Sequence, residues 1–236
     1  MFKIPKELCL LANILPKPIY IVGGFVRDSL LNIKSTDYDL CSSLTIEELS
    51  NNLRNTDFKV LPNNLQFGTA KIVCKSLTVE YSTFRKDFYA NNGKHSPKKV
   101  TFVNTIEEDC LRRDFTINAI YFDIKENKII DPLNGKNDIE NRLLKAVPPI
   151  EETLSKDGER LLRLAKFKAK TGFEIEETTL EYAKKYSNNV LQLSKNTINK
   201  FLKNISSFTK NQKQEIKDFF KELNLEQISN IIKEEN

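Results

Sequence analysis

The length, composition and charge of this chain are those of a folded protein. Its 236 residues are enough for one large domain or two modest ones, and 39% hydrophobic with 29% charged residues excludes a disordered chain. Lys and Arg (37) exceed Asp and Glu (32), which gives a net charge of +5 that suits a polyanionic partner without requiring one.

Cysteine and histidine usage bears on zinc binding and on the cellular compartment. The cysteines Cys9, Cys41, Cys74 and Cys110 form no Cys-x-x-Cys pair, and His95 is the single histidine, so no zinc site is expected. The sequence contains neither a signal peptide nor a long apolar run. These features predict a cytoplasmic protein without membrane association, and they leave the oligomeric state open.

The first half of the chain alternates strand-like and helix-like segments. Residues 19–22 are typical of a short buried strand, Gly23 and Gly24 open a helix over 25–31, and 37–41 form a second strand. Further predictions, in chain order, are a helix capped by Thr45 and Glu48 that runs to about residue 55, strands at 70–74, 78–84 and 100–103, and a polar loop at 87–97.

From about residue 137 onward the apolar spacing is helical. Polar residues around Asn211 are expected to separate two amphipathic helices. Their apolar faces consist of Ile198, Phe201, Leu202, Ile205 and Phe208 in the first, and Ile216, Phe219, Phe220 and Leu223 in the second.

Asp37-Tyr38-Asp39 lies on the predicted second strand, where side chains two residues apart project from the same face. Two adjacent carboxylates repel each other, and a hard divalent cation with phosphate oxygens resolves that repulsion. The alternative for an isolated Asp-x-Asp is a capped turn. Gly23-Gly24 favours phosphate binding because its backbone can approach closely at a helix start, and Arg27 follows one turn later.

Five segments together resemble the class II tRNA nucleotidyltransferase and bacterial poly(A) polymerase family, within the polymerase-β-like superfamily. The motifs are long, and they occur in the family's order. They comprise 22–28, 37–40 and 108–119 for the first two motifs, 131–138 for the third and 157–173 for the fourth, within a resemblance that covers about residues 19–173.

The resemblance implies an α+β fold, with a nucleotidyltransferase head of mixed β-sheet and helices and an all-α neck and body. It places the catalytic head at 1–130, a neck with the base-selecting helix at 131–175, and a short body that contacts tRNA at 176–236. Family members usually continue for well over a hundred residues past residue 173, so the chain is expected to be a C-terminally shortened member.

The resemblance also assigns roles around the phosphates. Asp37 and Asp39 fall on the catalytic positions that bind two Mg²⁺ ions. Gly24, Arg27 and Arg113 fall on nucleotide-contacting positions, for which the charged fork of arginine is suited. Glu80 is left open between a third metal carboxylate and a surface glutamate.

The fourth motif resembles the family's protein template for the incoming base. Asp157 would accept from an exocyclic amine and Arg160 would donate to the adjacent ring nitrogen, a pattern that cytosine and adenine share and uracil and guanine lack. Arg163 and Lys166 continue the row as nucleotide contacts. The chain departs from the family at Lys156, at Gly158, which should loosen the first helical turn, and at Lys166, where an Arg is usual.

Two segments discriminate among the family's activities. Residues 63–69 lack the basic segment of many poly(A) polymerases, which favours tRNA repair. Residues 82–89 lead into residues 90–97, and this segment resembles the flexible loop of enzymes that add all three nucleotides. Lys94 stands about where those enzymes commonly have an Arg. The sequence predicts addition of C, C and A to tRNA from CTP and ATP. The alternatives are CC-only or A-only addition, poly(A) synthesis, or a non-catalytic RNA-binding module.

The lysines of the helical body have two interpretations. They either contact tRNA, as the short body of a family member would need, or keep a helical surface soluble. The set consists of Lys195, Lys200, Lys203 and Lys210.

Overall fold

The computed structural model describes residues 2–89 and 97–233. The chain divides into two compact units, of which unit 1 comprises Met1–Asp87 and Lys99–Ile139, and unit 2 comprises Phe88–Lys98 and Glu140–Asn236. A mixed sheet and several helices confirm the α+β class. The division at 130 and 175 into head, neck and body stays a prediction.

Unit 1 contains a seven-stranded mixed sheet in the part that the structure describes. Its strands are β1 (Tyr20–Val22), β2 (Asp39–Ser42), β3 (Lys59–Asn64), β4 (Thr69–Cys74) and β5 (Leu77–Thr83), followed by the separate pair β6 (Arg85–Phe88) and β7 (Lys99–Phe102), and then β8 (Tyr121–Asp123) and β9 (Lys128–Ile130). The sheet order is β3-β4-β5-β2-β1-β8-β9. Strands β2 and β5 are parallel, and β1 is antiparallel to both of its neighbours.

The helices of unit 1 precede, connect or follow the strands of this sheet along the chain. They are α1 (Lys6–Ile14), α2 (Gly24–Leu30), α3 (Ile46–Leu53), α4 (Ile106–Cys110) and α5 (Gly135–Glu140). The predicted capping box at the start of α3 is confirmed, because the Thr45 hydroxyl accepts from Glu48 N at 3.2 Å and the Glu48 carboxylate accepts from Thr45 N at 2.7 Å.

Unit 2 is mainly helical. Its elements are β10 (Leu143–Leu144), α6 (Ile150–Lys156), α7 (Glu159–Thr171), β11 (Glu174–Ile175), α8 (Glu177–Lys185), α9 (Lys195–Asn204), α10 (Lys210–Glu222) and α11 (Glu226–Asn230). Strands β10 and β11 form a two-residue parallel pair that the helical pattern did not predict. Helix α7 is central, since Leu161, Leu162 and Leu164 are fully buried and α10 packs against it.

Several predicted boundaries are wrong. Strand β2 begins at Asp39, so Asp37 lies two residues before it. Asn211 lies inside α10, and the break between α9 and α10 comes earlier, before the capping Thr209. The start of α7 was not predicted to the residue; the helix begins at Glu159, with Gly158 in the N-cap position. The loop at 90–96, with Lys94, lies outside the described residues.

Candidate active site

Asp37 and Asp39 flank the buried Tyr38 in unit 1. Both residues are exposed, while Tyr38 and Leu40 between and after them are buried in the core. The Tyr38 ring packs on Phe25 of α2, with ring centroids 4.7 Å apart. The apolar side chains therefore anchor the segment and present the two carboxylates to solvent, although only Asp39 is in the strand.

Hydrogen-bonded strand register extends this face across the sheet. Asp39 on β2 pairs with Val22 on β1 and with Glu80 on β5, and Glu80 in turn pairs with Lys71 on β4. Paired residues in adjacent strands share a face. A cleft of about 190 Å³ opens over this row, and its walls also include Arg112 and Arg113.

The Gly23-Gly24 turn borders Asp39. Gly23 has φ +79°, a conformation that favours glycine, and a Cβ placed on it would lie 3.8 Å from Asp39 Oδ2. The turn connects β1 to α2, which begins at Gly24. The backbone of this turn is thus close enough to Asp39 for one ligand to contact both.

Arg27 lies beneath this turn and is only 2% exposed. Its Nε and Nη2 donate to Asp28 Oδ1 at 2.9 and 2.6 Å, and its Nη1 donates to Asn118 Oδ1 at 2.6 Å. Asn118 Nδ2 donates to Asp114 Oδ1 at 3.2 Å. Arg27 therefore connects the first motif to the second, a role that the sequence did not predict, and its predicted contact with a nucleotide stays a prediction.

Asp109 is a buried anchor that sequence reasoning missed. Its Oδ1 accepts from Arg112 Nε and its Oδ2 from Arg113 Nη2, both at 2.8 Å, while the Tyr121 hydroxyl donates to Oδ2 at 2.7 Å. Burial raises the pKa of this carboxyl, but the charges of Arg112 and Arg113 and the hydrogen bond from Tyr121 outweigh it and hold the pKa well below its usual value. The i, i+3 and i, i+4 spacing of Asp109 to the two arginines was the available signal.

The third motif, residues 131–138, contacts the second motif at Thr116. Asp131 accepts from the backbone N–H groups of Gly135 and Lys136 at 2.8 Å, which caps the start of α5. A Cβ on Gly135 would lie 2.3 Å from the carbonyl oxygen of Thr116, so only glycine fits there. Thr116 Oγ1 also donates to Asp138 Oδ2 at 2.6 Å. These contacts give motif three a structural role in unit 1.

The residues present fit a metal that the substrate helps to bind. Within residues 2–89 and 97–233, no group of three or more His, Cys, Asp or Glu side chains is arranged to hold a metal ion. Mg²⁺ is commonly held by one or two carboxylates together with substrate phosphates, rather than by a complete protein cage. Two exposed carboxylates, of which Asp39 lies beside a glycine turn, match that donor set. Glu80 is the register neighbour of Asp39, and its role stays open.

The predicted base-selecting residues lie in unit 2 and are buried. Asp157 is 4% and Arg160 7% exposed, and Arg160 Nε lies 3.8 Å from Asp157 Oδ2. Arg160 Nη1 donates to the Thr153 carbonyl at 3.2 Å, and the guanidinium lies 5.8 Å from the centre of the Tyr89 ring. The carboxylate of Asp157 and the guanidinium of Arg160 therefore lie side by side.

Arg163 and Lys166 follow on the same helix and share one aromatic neighbour. The Arg163 guanidinium lies 5.2 Å and the Lys166 ammonium 5.8 Å from the centre of the Phe167 ring. Gly158, which precedes this helix, packs so closely that a Cβ would lie 2.5 Å from the Asn189 carbonyl oxygen. This contact gives a packing reason for the glycine.

The part of the chain that contains the carboxylates matches a known protein family. The family model described as the poly A polymerase head domain matches residues 19–145, more than half of the chain. The chain belongs to the poly(A) polymerase head-domain family. The match includes the Gly23-Gly24 turn, the carboxylates Asp37 and Asp39, and the Asp109 cluster, and it ends before the helix of Asp157 and Arg160.

Individual members of the family are similar over most of this chain. The CCA-adding enzyme of Streptococcus thermophilus is 40% identical over 164 residues, which are 69% of this chain and 39% of that protein. The crystal structure of the Bacillus stearothermophilus CCA-adding enzyme in complex with CTP superimposes with a TM-score of 0.72 at 26% identity, over 90% of this chain and 48% of that one. The structure of the Thermotoga maritima CCA-adding enzyme complexed with tRNA superimposes with a TM-score of 0.76 at 26% identity. The superposition covers 94% of this chain and 52% of that one.

The chain thus spans about two-fifths to one-half of the length of these relatives. Its resemblance to the family and the α+β fold are confirmed. The roles of the individual residues stay predictions. No helix among residues 2–89 and 97–233 is both long and apolar enough to span a membrane.

Proposed function

We propose that the chain adds C, C and A to the 3′ end of tRNA from CTP and ATP, and that pyrophosphate is released. The observation that carries this proposal is the exposure of Asp37 and Asp39, with Asp39 beside the Gly23-Gly24 turn, in a chain of this family. The relatives named above as CCA-adding enzymes support tRNA rather than another RNA as the acceptor. A cytoplasmic setting stays a prediction from the sequence.

Asp37 and Asp39 would hold Mg²⁺ together with the triphosphate. The bound ions would make the attacking 3′ hydroxyl more acidic and would stabilise the charge on the leaving pyrophosphate. The chain supplies the rest by position. The Gly23-Gly24 backbone lies beside Asp39, and Arg113, held by Asp109 and Tyr121, lines the same cleft. Each of these groups offers donors to phosphate oxygens.

Asp157 and Arg160 would select the incoming base. The carboxylate accepts from the amine of cytosine or adenine, and the guanidinium donates to the neighbouring ring nitrogen. Uracil or guanine would leave buried polar groups of the protein unpaired, at a cost of roughly 1 to 3 kcal/mol each. The burial of both side chains in unit 2 supports this role, because a solvent-exposed pair would discriminate weakly.

The lysines of α9 and the start of α10 are proposed to contact the tRNA backbone. Lys195, Lys200, Lys203 and Lys210 are all exposed. Contacts of this kind add affinity without sequence readout and weaken as salt rises. Lysines that serve solubility alone would leave tRNA affinity unchanged when all four are neutralised.

A tRNA extension assay tests the function. A transcript that ends at the discriminator base is incubated with CTP alone, ATP alone, and both. We expect two additions with CTP alone, none with ATP alone, and three with both. Two additions with CTP alone and still only two with both triphosphates would indicate a CC-adding enzyme. No addition to this transcript, together with a single A on a second transcript that ends in CC, would indicate an A-adding enzyme. Repeated A addition without CTP would indicate a poly(A) polymerase.

The Asp37→Ala variant separates an enzyme from an RNA-binding module. We expect it to abolish incorporation and to leave tRNA affinity nearly unchanged, because the carboxylate acts on the reaction and not on the RNA backbone. Asp57→Ala, an exposed aspartate elsewhere in unit 1, is the matched control and should keep full activity. Incorporation that survives in Asp37→Ala would show that the active site is assigned wrongly.

A further inference from the structure

The row of register-paired residues on the open face of unit 1 continues beyond the carboxylates. From Asp39 on β2 it passes to Glu80 on β5 and ends with Lys71 on β4 and Leu61 on the edge strand β3. Two strand spacings separate Lys71 from Asp39, a Cα distance of about 10 Å. Lys71 therefore lies within one nucleotide's reach of the carboxylates, on the side away from β1.

Among residues 2–89 and 97–233, no structural partner accounts for Lys71. The residue is exposed, and it lines the cleft that also contains Asp39 and Glu80. A cross-strand ion pair with Glu80 would be the ordinary explanation for a lysine at this register position. Within the described residues, however, the Lys71 side chain makes neither an ion pair nor a hydrogen bond.

The direction of the reaction distinguishes the two ends of the row. The Gly23-Gly24 turn follows β1 and lies beside Asp39, so the leaving pyrophosphate belongs at the β1 end. Phosphoryl transfer proceeds with the attacking and leaving oxygens roughly in line, on opposite sides of the phosphorus. The 3′ hydroxyl must then approach from the other side of Asp39, which is the side of Glu80 and Lys71.

We propose that Lys71 binds the last phosphodiester of the acceptor RNA and thereby positions the 3′-terminal nucleotide for attack. This inference rests on the proposed nucleotidyl transfer. A lysine ammonium on a long flexible stem suits a phosphate oxygen that changes position slightly as the strand grows. Leu61, next in the row and 51% exposed, provides an apolar surface beside it for a ribose or base. Lys71 is thus a contact to the RNA rather than to the incoming triphosphate.

The test couples a change in the protein to a change in the RNA. A tRNA transcript that ends at the discriminator base is prepared with a neutral methylphosphonate in its last linkage. Binding is measured by fluorescence anisotropy for wild-type protein and for Lys71→Gln, which keeps the stem and loses the charge. We expect wild-type protein to bind the modified RNA about tenfold more weakly than normal RNA, and Lys71→Gln to bind both equally.

Two further readouts separate this role from a general surface effect. Lys71→Gln should raise the KM for tRNA about tenfold with little change in the KM for CTP, and should lower the slope of log affinity against log salt by about one charge. Lys128→Gln, an exposed lysine on β9 at the opposite edge of the sheet, should behave as wild type. A methylphosphonate several linkages upstream should affect wild type and Lys71→Gln alike.

The outcomes that overturn the proposal are distinct from failure of the proposed function. Equal losses for wild type and Lys71→Gln on the modified RNA would show that Lys71 does not contact that phosphate. A raised KM for CTP instead of tRNA would move Lys71 to the triphosphate. If wild-type protein binds tRNA but incorporates no nucleotide, the proposed function fails while the binding comparison still decides the role of Lys71. Absence of tRNA binding would overturn both.

Discussion

Two aspartate–arginine pairs in this protein have the same spacing in sequence and different geometry. Asp109 and Arg112 in unit 1, and Asp157 and Arg160 in unit 2, are each three residues apart with a buried carboxylate. In the first pair, Arg112 Nε donates to Asp109 Oδ1 at 2.8 Å. In the second, Arg160 Nε and Asp157 Oδ2 are 3.8 Å apart, which is too far for a hydrogen bond.

The difference separates a pair that supports a site from a pair proposed to read a substrate. Asp109 is also bound by Arg113 and Tyr121, so its position is fixed by the fold. The guanidinium of Arg160 instead donates to the Thr153 carbonyl, and its direct contact with Asp157 is electrostatic only. In the proposed template role, a carboxylate and a guanidinium that lie side by side would present an acceptor and a donor to the edge of one base.

The largest expected effect follows from breaking the tight pair. Asp109→Asn would leave Arg112 and Arg113 largely buried without their counter-charge, and we expect a loss of about 3 to 5 kcal/mol in the free energy of unfolding. Urea unfolding followed by circular dichroism measures it. Asp57→Asn, at an exposed position of unit 1, should change stability by less than about 0.5 kcal/mol. A similarly small change in Asp109→Asn would mean that the cluster does not hold the two arginines.

The same cluster predicts a pH dependence with a defined sign. The pKa of Asp109 is lower in the folded protein than its ordinary value of 3.8, so the unfolded state binds the proton more readily. The stabilisation by this carboxylate is therefore fully present above about pH 5 and declines as the pH falls below about 4. Each unit of pKa depression corresponds to about 1.4 kcal/mol.

Unfolding measured from about pH 7 to about pH 2 checks this sign. The stability advantage of wild-type protein over Asp109→Asn should stay constant above about pH 5 and shrink below about pH 4. An advantage that grows on acidification would mean that burial, and not the two arginines, dominates the pKa of Asp109.

The loose pair should affect selectivity more than stability. In Asp157→Asn, the side-chain amide could donate to the carbonyl of uracil, so we expect the preference for CTP over UTP, as the ratio of kcat/KM values, to fall roughly tenfold to a hundredfold. Asp218→Asn, exposed on α10, is the matched control with unchanged preference. An unchanged preference combined with a stability loss as large as that of Asp109→Asn would make this pair structural as well.

Local patterns explain which parts of the fold could be predicted. Alternation of apolar residues predicted β4 and β5, and the capping residues predicted the start of α3, because each signal lies within a few neighbouring residues. Strand β3 was missed because nearly all of its residues are exposed at the sheet edge and its pairing is interrupted by a register shift, so it has no alternation to detect.

In the site, too, only the features that depend on neighbouring residues could be predicted. The exposure of Asp37 and Asp39 follows from the buried residues that alternate with them. The anchoring role of Asp109 could not be predicted from neighbouring residues. The Tyr121 hydroxyl and the Arg85 backbone N–H, which also donate to it, lie 12 and 24 residues away. Sequence spacing made the pairs of Asp109 and Asp157 look alike, and only tertiary packing sets the distance within each.

The smallest expected effect concerns Gly158, which lies between Asp157 and the helix of Arg160. At an ordinary helical position, Gly→Ala stabilises by about 0.4 to 1 kcal/mol. Here the new Cβ would lie 2.5 Å from the Asn189 carbonyl oxygen, and Asn189 is itself held because its Nδ2 donates to the Ser155 carbonyl at 2.8 Å. We therefore expect Gly158→Ala to lower stability by about 1 to 2 kcal/mol, measured by urea unfolding.

Asn199→Ala, at an exposed position of α9, is the control for this variant and should stay within about 0.5 kcal/mol of wild type. A gain in stability for Gly158→Ala would show that the turn at Ser187–Gln192 yields to the methyl group. In that case Gly158 would only loosen the first turn of α7, as its helix propensity alone implies. A loss in stability together with a weaker preference for CTP would instead show that this close contact sets the spacing between Asp157 and Arg160.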